Sequence, residues 1–224
     1  MKQVKQIEPM LARLLPREKL QVLMDSSDVV AEKKYNGERN LLHIQADGSA
    51  IMTSRRVSKK TGKYAEKTEH VPHLTVAGTW PVELAGTVLD TEMVHKEGFK
   101  VSSSIFRSKV PRALQLQEQH GEIECCVFDV LYHRGKSVMD KDWRHRRLFL
   151  EILRMVLPEK MFVSKIAVGK GKREFLEEIW QQGGEGIILK PIDSLYLPGN
   201  RSTWTKVKYE LTVDVVVIGF VEPD

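Results

Sequence analysis

Three lysines and a repeated spacing of two hold most of the chemical promise in this sequence. Lys34 stands in Lys34-Tyr35-Asn36-Gly37-Glu38-Arg39, at the end of a β-prone run and just before a glycine turn and an arginine. A lysine placed there can present its amine to a bound phosphate. To act as a nucleophile the amine must be neutral, and at an ordinary pKa of ~10.4 only about one lysine in 2,500 is neutral at pH 7. Neighbouring cations such as Arg39, Lys206 and Lys208 would favour the neutral form. Taken alone, the hexapeptide also reads as an ordinary basic strand end.

Strand side chains alternate faces, so charges two apart share one. Glu32, Lys34 and Asn36 are related in this way, as are Asp90 and Glu92, and Lys206 and Lys208. In Val88-Leu89-Asp90-Thr91-Glu92-Met93-Val94 apolar residues occupy both faces, so the strand is expected to be buried on each side. Two carboxylates there repel each other and lose hydration unless a cation neutralises them. A metal or a group of lysines and arginines would serve. Glu185 is placed similarly, before Gly186-Ile187-Ile188-Leu189. Oxygen-only ligands suit Mg²⁺ better than zinc, with structural ion pairing as the rival at each position.

These residues need elements to hold them. Strands are expected at Val29–Lys34, 40–45, 50–53, Val88–Val94, 123–132, 186–190, 203–209 and 212–220, with a hairpin at Ala46-Asp47-Gly48-Ser49. Helices are expected at 16–24, 142–156 and 172–182. In the second, Trp143, Leu148, Ile152 and Met155 recur at helical spacing. Strands and helices without strict alternation predict an α+β fold of largely antiparallel β-sheets flanked by helices. The 224 residues are 42% hydrophobic and 29% charged, a globular balance. No apolar run is long enough to span a bilayer, so no membrane association is expected. Cys125 and Cys126 are adjacent, which excludes a disulfide framework and places them in a strand core. With no signal-like start, the expected setting is reduced and intracellular. No glycine-rich phosphate cradle of either common type occurs, so side chains must hold any nucleotide.

The order and spacing of the reactive groups resemble the nucleotidyltransferase domain of ATP-dependent DNA ligases. RNA ligases and mRNA capping enzymes share its ATP-grasp-like fold. Lys34 through Arg39 resembles motif I, K-x-D-G-x-R, and Ser54-Arg55 the S-R element that follows it. Leu89-Asp90-Thr91-Glu92-Met93 resembles motif III, and Val127-Phe128-Asp129 motif IIIa. Glu185 through Lys190 resembles motif IV, and Trp204-Thr205-Lys206-Val207-Lys208 motif V. Each pattern is weak alone; together and in order they span almost the whole chain.

The resemblance implies that Lys34 attacks the α-phosphate of ATP, expels pyrophosphate and becomes lysyl-AMP. AMP would then pass to the 5′-phosphate of nicked double-stranded DNA, and the 3′-OH would displace it. Such in-line transfers ask the protein mainly to position groups and offset charge. By matched position, Lys206 and Lys208 would neutralise the α-phosphate and Glu32 would contact the adenine amino group. Arg39 and Glu92 would hold the ribose side. Phe128 would stack on the purine, with Ile187 on its other face or simply in the core. Asp90 and Glu185 would approach Mg²⁺, with Mn²⁺ able to substitute, and Arg55 would recognise the 5′-phosphate. Lys190 closes motif IV without an assigned role.

Two departures stand out. Asn36 occupies the place of the family's Asp, keeping an acceptor oxygen but not the charge. The chain also stops soon after 213–220, which resembles the entry to an OB-fold domain. Residues 1–210 are therefore expected to form the adenylation domain, and 211–224 the hinge and first strand of that second domain. The net charge of +5 is mild. Its densest stretch, Arg55-Arg56-Val57-Ser58-Lys59-Lys60-Thr61-Gly62-Lys63, reads as a phosphate contact beside the S-R element or as a solvated loop. Arg144, Arg146, Arg147 and Arg154 could form another basic group, while His70 and His73 read as surface histidines. The rivals are an RNA ligase or capping guanylyltransferase, which GTP labelling would reveal, and a non-catalytic basic nucleic-acid-binding module. A monomer is expected, cytoplasmic in a bacterial or viral source and nuclear in a eukaryotic one.

Overall fold

The chain crosses between two β-sheets at Tyr35-Asn36-Gly37, and that crossing places the lysine of motif I at the mouth of the space between them. The computed structural model describes residues 4–58 and 61–208. The strands are β1 (Ala12–Arg13), β2 (Val29–Lys34), β3 (Glu38–Ile44), β4 (Ala50–Val57), β5 (Tyr64–Glu66) and β6 (Val88–Val94). They continue with β7 (Glu124–His133), β8 (Lys136–Ser137), β9 (Met161–Val163), β10 (Ile166–Ala167), β11 (Gly186–Pro191) and β12 (Trp204–Lys208). The helices are α1 (Arg17–Asp25), α2 (Pro72–Thr75), α3 (Phe99–Arg107), α4 (Val110–His120), α5 (Trp143–Leu153) and α6 (Gly171–Gln181).

The smaller sheet runs β1-β12-β11-β2-β10 and is antiparallel except where β1 meets β12. The larger runs β5-β4-β3-β6-β7-β8, with β9 lying parallel beside β7. The expected α+β architecture is therefore present. Gly37 permits the crossing, because a Cβ there would collide with the Met93 carbonyl oxygen.

Period-two alternation sorts residues between two kinds of surroundings. On β2 and β11, Val29, Ala31, Ile187 and Leu189 pack under α1 and α6 with Met24, Leu176 and Ile179. Glu32 and Lys34 share the opposite face with Ile188 and Lys190 and line the space between the sheets. The far face of the larger sheet packs Leu42, Met52, Leu89 and Met93 against α2 to α5, in the largest core cluster. A third cluster, including Met10, Leu41, Val88, Leu131, Tyr196 and Trp204, joins the sheets where they close together. Among the described residues no helix is long and apolar enough to cross a membrane.

Three expectations are corrected. The apolar stripe assigned to 142–156 is mostly turned outward: Leu148 and Ile152 are each 60% exposed and Met155 88%. Trp143 of that stripe is buried as expected, and it is joined by Leu150, Leu153, Arg146 and Arg147. The arginines can be buried because each has a carboxylate. Arg146 donates to both oxygens of Asp129 (2.8 and 3.0 Å), and Arg147 donates to Glu151 at 2.8 Å. Only Arg144 and Arg154 of that basic group face solvent. His70 and His73 are not surface histidines: their Nε2 atoms bond the carbonyls of Ser108 (3.1 Å) and Ile123 (2.9 Å). The expected strand 212–220, and with it the domain entry at 211–224, lies outside the described residues.

Candidate active site

Register builds the site. Lys34 of β2 pairs with Gly186 of β11, which pairs in turn with Lys208 of β12; two residues along, Glu32, Ile188 and Lys206 form the next row on the same face. Gly186 lets β12 approach closely, since a Cβ there would collide with the Val207 carbonyl oxygen, and Glu185 beside it bridges the two outer lysines. Its Oε2 accepts from Lys34 Nζ and its Oε1 from Lys208 Nζ, both at 2.5 Å. Burial pushes the Glu185 carboxyl up, but hydrogen bonds from Lys208 and Lys34 outweigh it and hold the group below the ordinary carboxylate value. Lys206 lines the same cleft and makes no ion pair among the described residues.

The cleft, roughly 980 Å³, is a good size for a nucleotide. Glu32, Lys190, Ile188, Phe128 and Trp204 line one part of it. Glu32 is 2% exposed; its Oε1 accepts from Lys190 Nζ at 2.7 Å, and its Oε2 has no hydrogen-bond donor. Phe128 reaches the cleft through a β-bulge. Asp90 opposes Asp129 while Thr91 opposes Val127, so Phe128 is the extra residue on its strand. The Arg39 guanidinium lies 5.0 Å from the Phe128 ring centroid. Glu92 accepts from the Gly37 N–H at 3.1 Å. Burial pushes its carboxyl up to about 7, against the pull of Lys34 and Arg39. Ser54, Arg55 and Arg56 of β4 also line the cleft, as do Lys67 and Arg107. Lys59 and Lys60 lie outside the described residues.

Ile187 is not placed to touch a purine. It is fully buried under the helices, and Ile188, one residue on and therefore on the opposite face, lines the cleft. Asp90 is not a free carboxylate. It is fully buried, and Arg39 Nε and Nη2 grip Oδ1 and Oδ2 at 2.9 and 2.6 Å while Tyr196 donates its hydroxyl proton to Oδ2 at 2.7 Å. Among the described residues no group of three His, Cys, Asp or Glu side chains could hold a metal. Asp90 is consumed by Arg39, and Glu185 is shared by two lysines. The described residues therefore offer no metal cage, whereas the aromatic walls of the cleft suit a nucleotide base.

The sequence reading missed Tyr196, which ties Asp90 to the Met10 backbone N–H at 3.0 Å, and the cleft-wall role of Trp204. Tyr196 lies in an irregular segment with no periodicity to mark it. Arg147 was read only as part of a basic helix group, with no hint that it stands 3.8 Å from Glu32.

Comparison with known proteins agrees with this geometry. A family model described as the ATP dependent DNA ligase domain matches residues 9–208. The chain is 28% identical over 235 residues to a DNA ligase of Nitrosopumilus maritimus (strain SCM1), covering 95% of this chain and 37% of that protein. It is 29% identical over 223 residues to a DNA ligase of Methanothermobacter thermautotrophicus, covering 95% and 38%. Among solved structures, a mycobacterial DNA ligase D complexed with ATP and MES matches with a TM-score of 0.65 at 26% identity, covering 91% of this chain and 60% of that one. The chain spans less than two fifths of the length of the curated relatives it matches. Matched from residue 9 to residue 208, through both sheets and the lysine-lined cleft between them, the chain belongs to the ATP-dependent DNA ligase domain family.

Proposed function

We propose that this chain is the adenylation core of an ATP-dependent DNA ligase that seals nicks in double-stranded DNA. The observation that carries the reading is the row Lys34–Gly186–Lys208 with Glu185 between the lysines, beside a cleft walled by Glu32 and Phe128. A phosphate entering that row competes with Glu185 for both lysines, since charge-assisted contacts to phosphate rival those to carboxylate. Lys34 Nζ, once deprotonated, forms a bond to the α-phosphorus of ATP as the bond to the β-phosphate oxygen breaks and pyrophosphate departs. Lys206 and Lys208 offset the charge that gathers on the phosphoryl oxygens. The adenylyl group then moves to the 5′-phosphate of a nick, near Arg55, and the 3′-OH displaces AMP as the strand closes. Mg²⁺ would arrive on the nucleotide phosphates, which suits an ion that keeps few protein ligands. Glu185, which faces the lysine row, is the carboxylate that would help hold it.

The test is mass spectrometry of the protein after incubation with ATP and Mg²⁺. One adenylyl group should appear on Lys34 and be absent from Lys34→Ala. A second arm supplies nicked DNA already carrying AMP on its 5′-phosphate, where sealing should depend on Lys206 and Lys208. Absence of both the adduct and the sealing would refute the proposal.

A further inference from the structure

Tyr196 does not line the cleft, yet it ties together three segments that do. It is 1% exposed, and its ring meets that of Trp204 edge-on with centroids 5.7 Å apart. Its hydroxyl accepts from the Met10 N–H at 3.0 Å and donates to Asp90 Oδ2 at 2.7 Å, with Arg39 Nη2 3.4 Å away. The phenol has one proton, and Met10 and Arg39 are both donors, so that proton can go only to Asp90. Burial first and then the Asp90 charge push the phenol well above its ordinary value, which keeps the proton in place. Asp90 hands the constraint on, since its two oxygens accept from Arg39 Nε and Nη2 at 2.9 and 2.6 Å. Arg39 Nη1 has no hydrogen-bond partner among the described residues and is not enclosed. The segment 8–12 is fastened beside Tyr196: the Leu11 N–H donates to the Asn200 carbonyl at 2.8 Å, and the Gly199 N–H to the Glu8 carbonyl at 3.2 Å.

We propose that Tyr196 is a positioning residue: its hydroxyl, acting through Asp90, sets the angle at which Arg39 presents Nη1 to the ribose hydroxyls of a bound nucleotide. This inference rests on the nucleotide-binding reading above. In any nucleotide the ribose lies between base and phosphates. Here the aromatic wall at Phe128 suits the base and the lysine row suits the phosphates. Arg39 follows the crossing from Lys34, and its guanidinium lies 5.0 Å from the Phe128 ring centroid, so it stands where the hydroxyls pass. A hydroxyl oxygen accepts from a guanidinium, and the charge strengthens that bond. Without the Tyr196 proton, Asp90 keeps Arg39 as its one hydrogen-bonding side chain among the described residues, and carboxylate and guanidinium can turn together. The Met10 contact anchors the hydroxyl to the segment 8–12, whose Glu8, Pro9, Leu11 and Ala12 face the cleft.

The test is calorimetric titration of the 224-residue protein with ATP and with dideoxy-ATP, which lacks both ribose hydroxyls, each with Mg²⁺. Wild type and Tyr196→Phe are compared, beside thermal unfolding of each. Wild type should favour ATP by about tenfold, as expected for one hydrogen bond to a charged group. Tyr196→Phe removes a single oxygen and keeps the ring; it should shrink that ratio by about threefold or more. A smaller change in the ratio, however much both nucleotides are weakened, overturns the proposal, because a purely structural role predicts that result. Wild type that binds the two nucleotides equally also overturns it. If Tyr196→Phe unfolds, the carbon NMR signal of the hydroxyl-bearing Tyr196 ring carbon in wild type decides. It should move with ATP and stay with dideoxy-ATP, and the same response to both overturns the proposal. Wild type that binds neither nucleotide overturns the parent reading as well, so the two failures are told apart.

Discussion

At Glu185 two lysines share one carboxylate, and at Asp90 an arginine and a tyrosine share another. The two sites differ in exposure. Glu185 is open to exchange its partners for phosphate, whereas Asp90 is fully buried and holds Arg39 at a fixed angle to the cleft. Removing one member of a buried ion pair leaves the other uncompensated, so Asp90→Ala should lower stability by ~3–5 kcal/mol in urea unfolding. A carboxylate kept for a metal would behave oppositely, and unchanged or raised stability would restore that role. Glu92 has a different signature. Its folded-state pKa of about 7 lies above the reference value of 4.5, so the folded protein retains a proton there that the unfolded chain has lost. The stability it contributes is complete below pH 4.5 and vanishes as pH rises through about 7. Carboxyl carbon shifts should show one group titrating near pH 7, and Glu92→Gln should remove it.

The helix α5 shows how an element can present the wrong face to a sequence pattern. Its outward Leu148 and Ile152 are apolar, and its inward Arg146 and Arg147 are charged. Periodicity assigns apolar residues to the interior, and it errs here because Asp129 and Ser164, which join Glu151 in making the arginines tolerable, lie off the helix. Leu150→Ala should therefore destabilise by about 2–5 kcal/mol, and Leu148→Ala by no more than about 0.5 kcal/mol. Chemical denaturation of the pair distinguishes the observed packing from the expected stripe, which predicts a large effect at Leu148. The β7 bulge is a second such case. Val127-Phe128-Asp129 is visible as a motif, but only the shifted pairing with β6 turns Phe128 toward the cleft.

For the molecule as a whole, acid stability depends on histidines folded in the neutral form. His43 is 2% exposed, bonded through Nε2 to Thr53 Oγ1 at 3.1 Å, and lowered to about 4 by burial and then by Lys5. Its stabilising effect is fully present above pH 6.5, where both states are neutral, and declines as pH falls toward 4 because only the unfolded chain takes up the proton. The loss approaches ~3 kcal/mol for a shift of this size. Stability measured from pH 7 to pH 4 should fall steeply in wild type and less in His43→Leu. Parallel slopes for the two proteins would show that other groups govern acid unfolding.

The one-dimensional record was sufficient to single out the residues on which the proposed chemistry rests. Lys34, Glu185, Lys206 and Lys208 were legible because strand alternation is local: residues two apart share a face whatever the strand pairs with. Most main strands and the α+β class followed from the same periodicity. What the chain could not announce was who sits opposite whom. That Glu185 bridges two lysines, that Arg39 claims Asp90, that Ile188 rather than Ile187 meets the cleft and that Lys190 engages Glu32 all depend on register between strands far apart in sequence. Pairing partners are chosen by the summed burial of whole sheets, and a single charge is assigned its partner only after those sheets have closed.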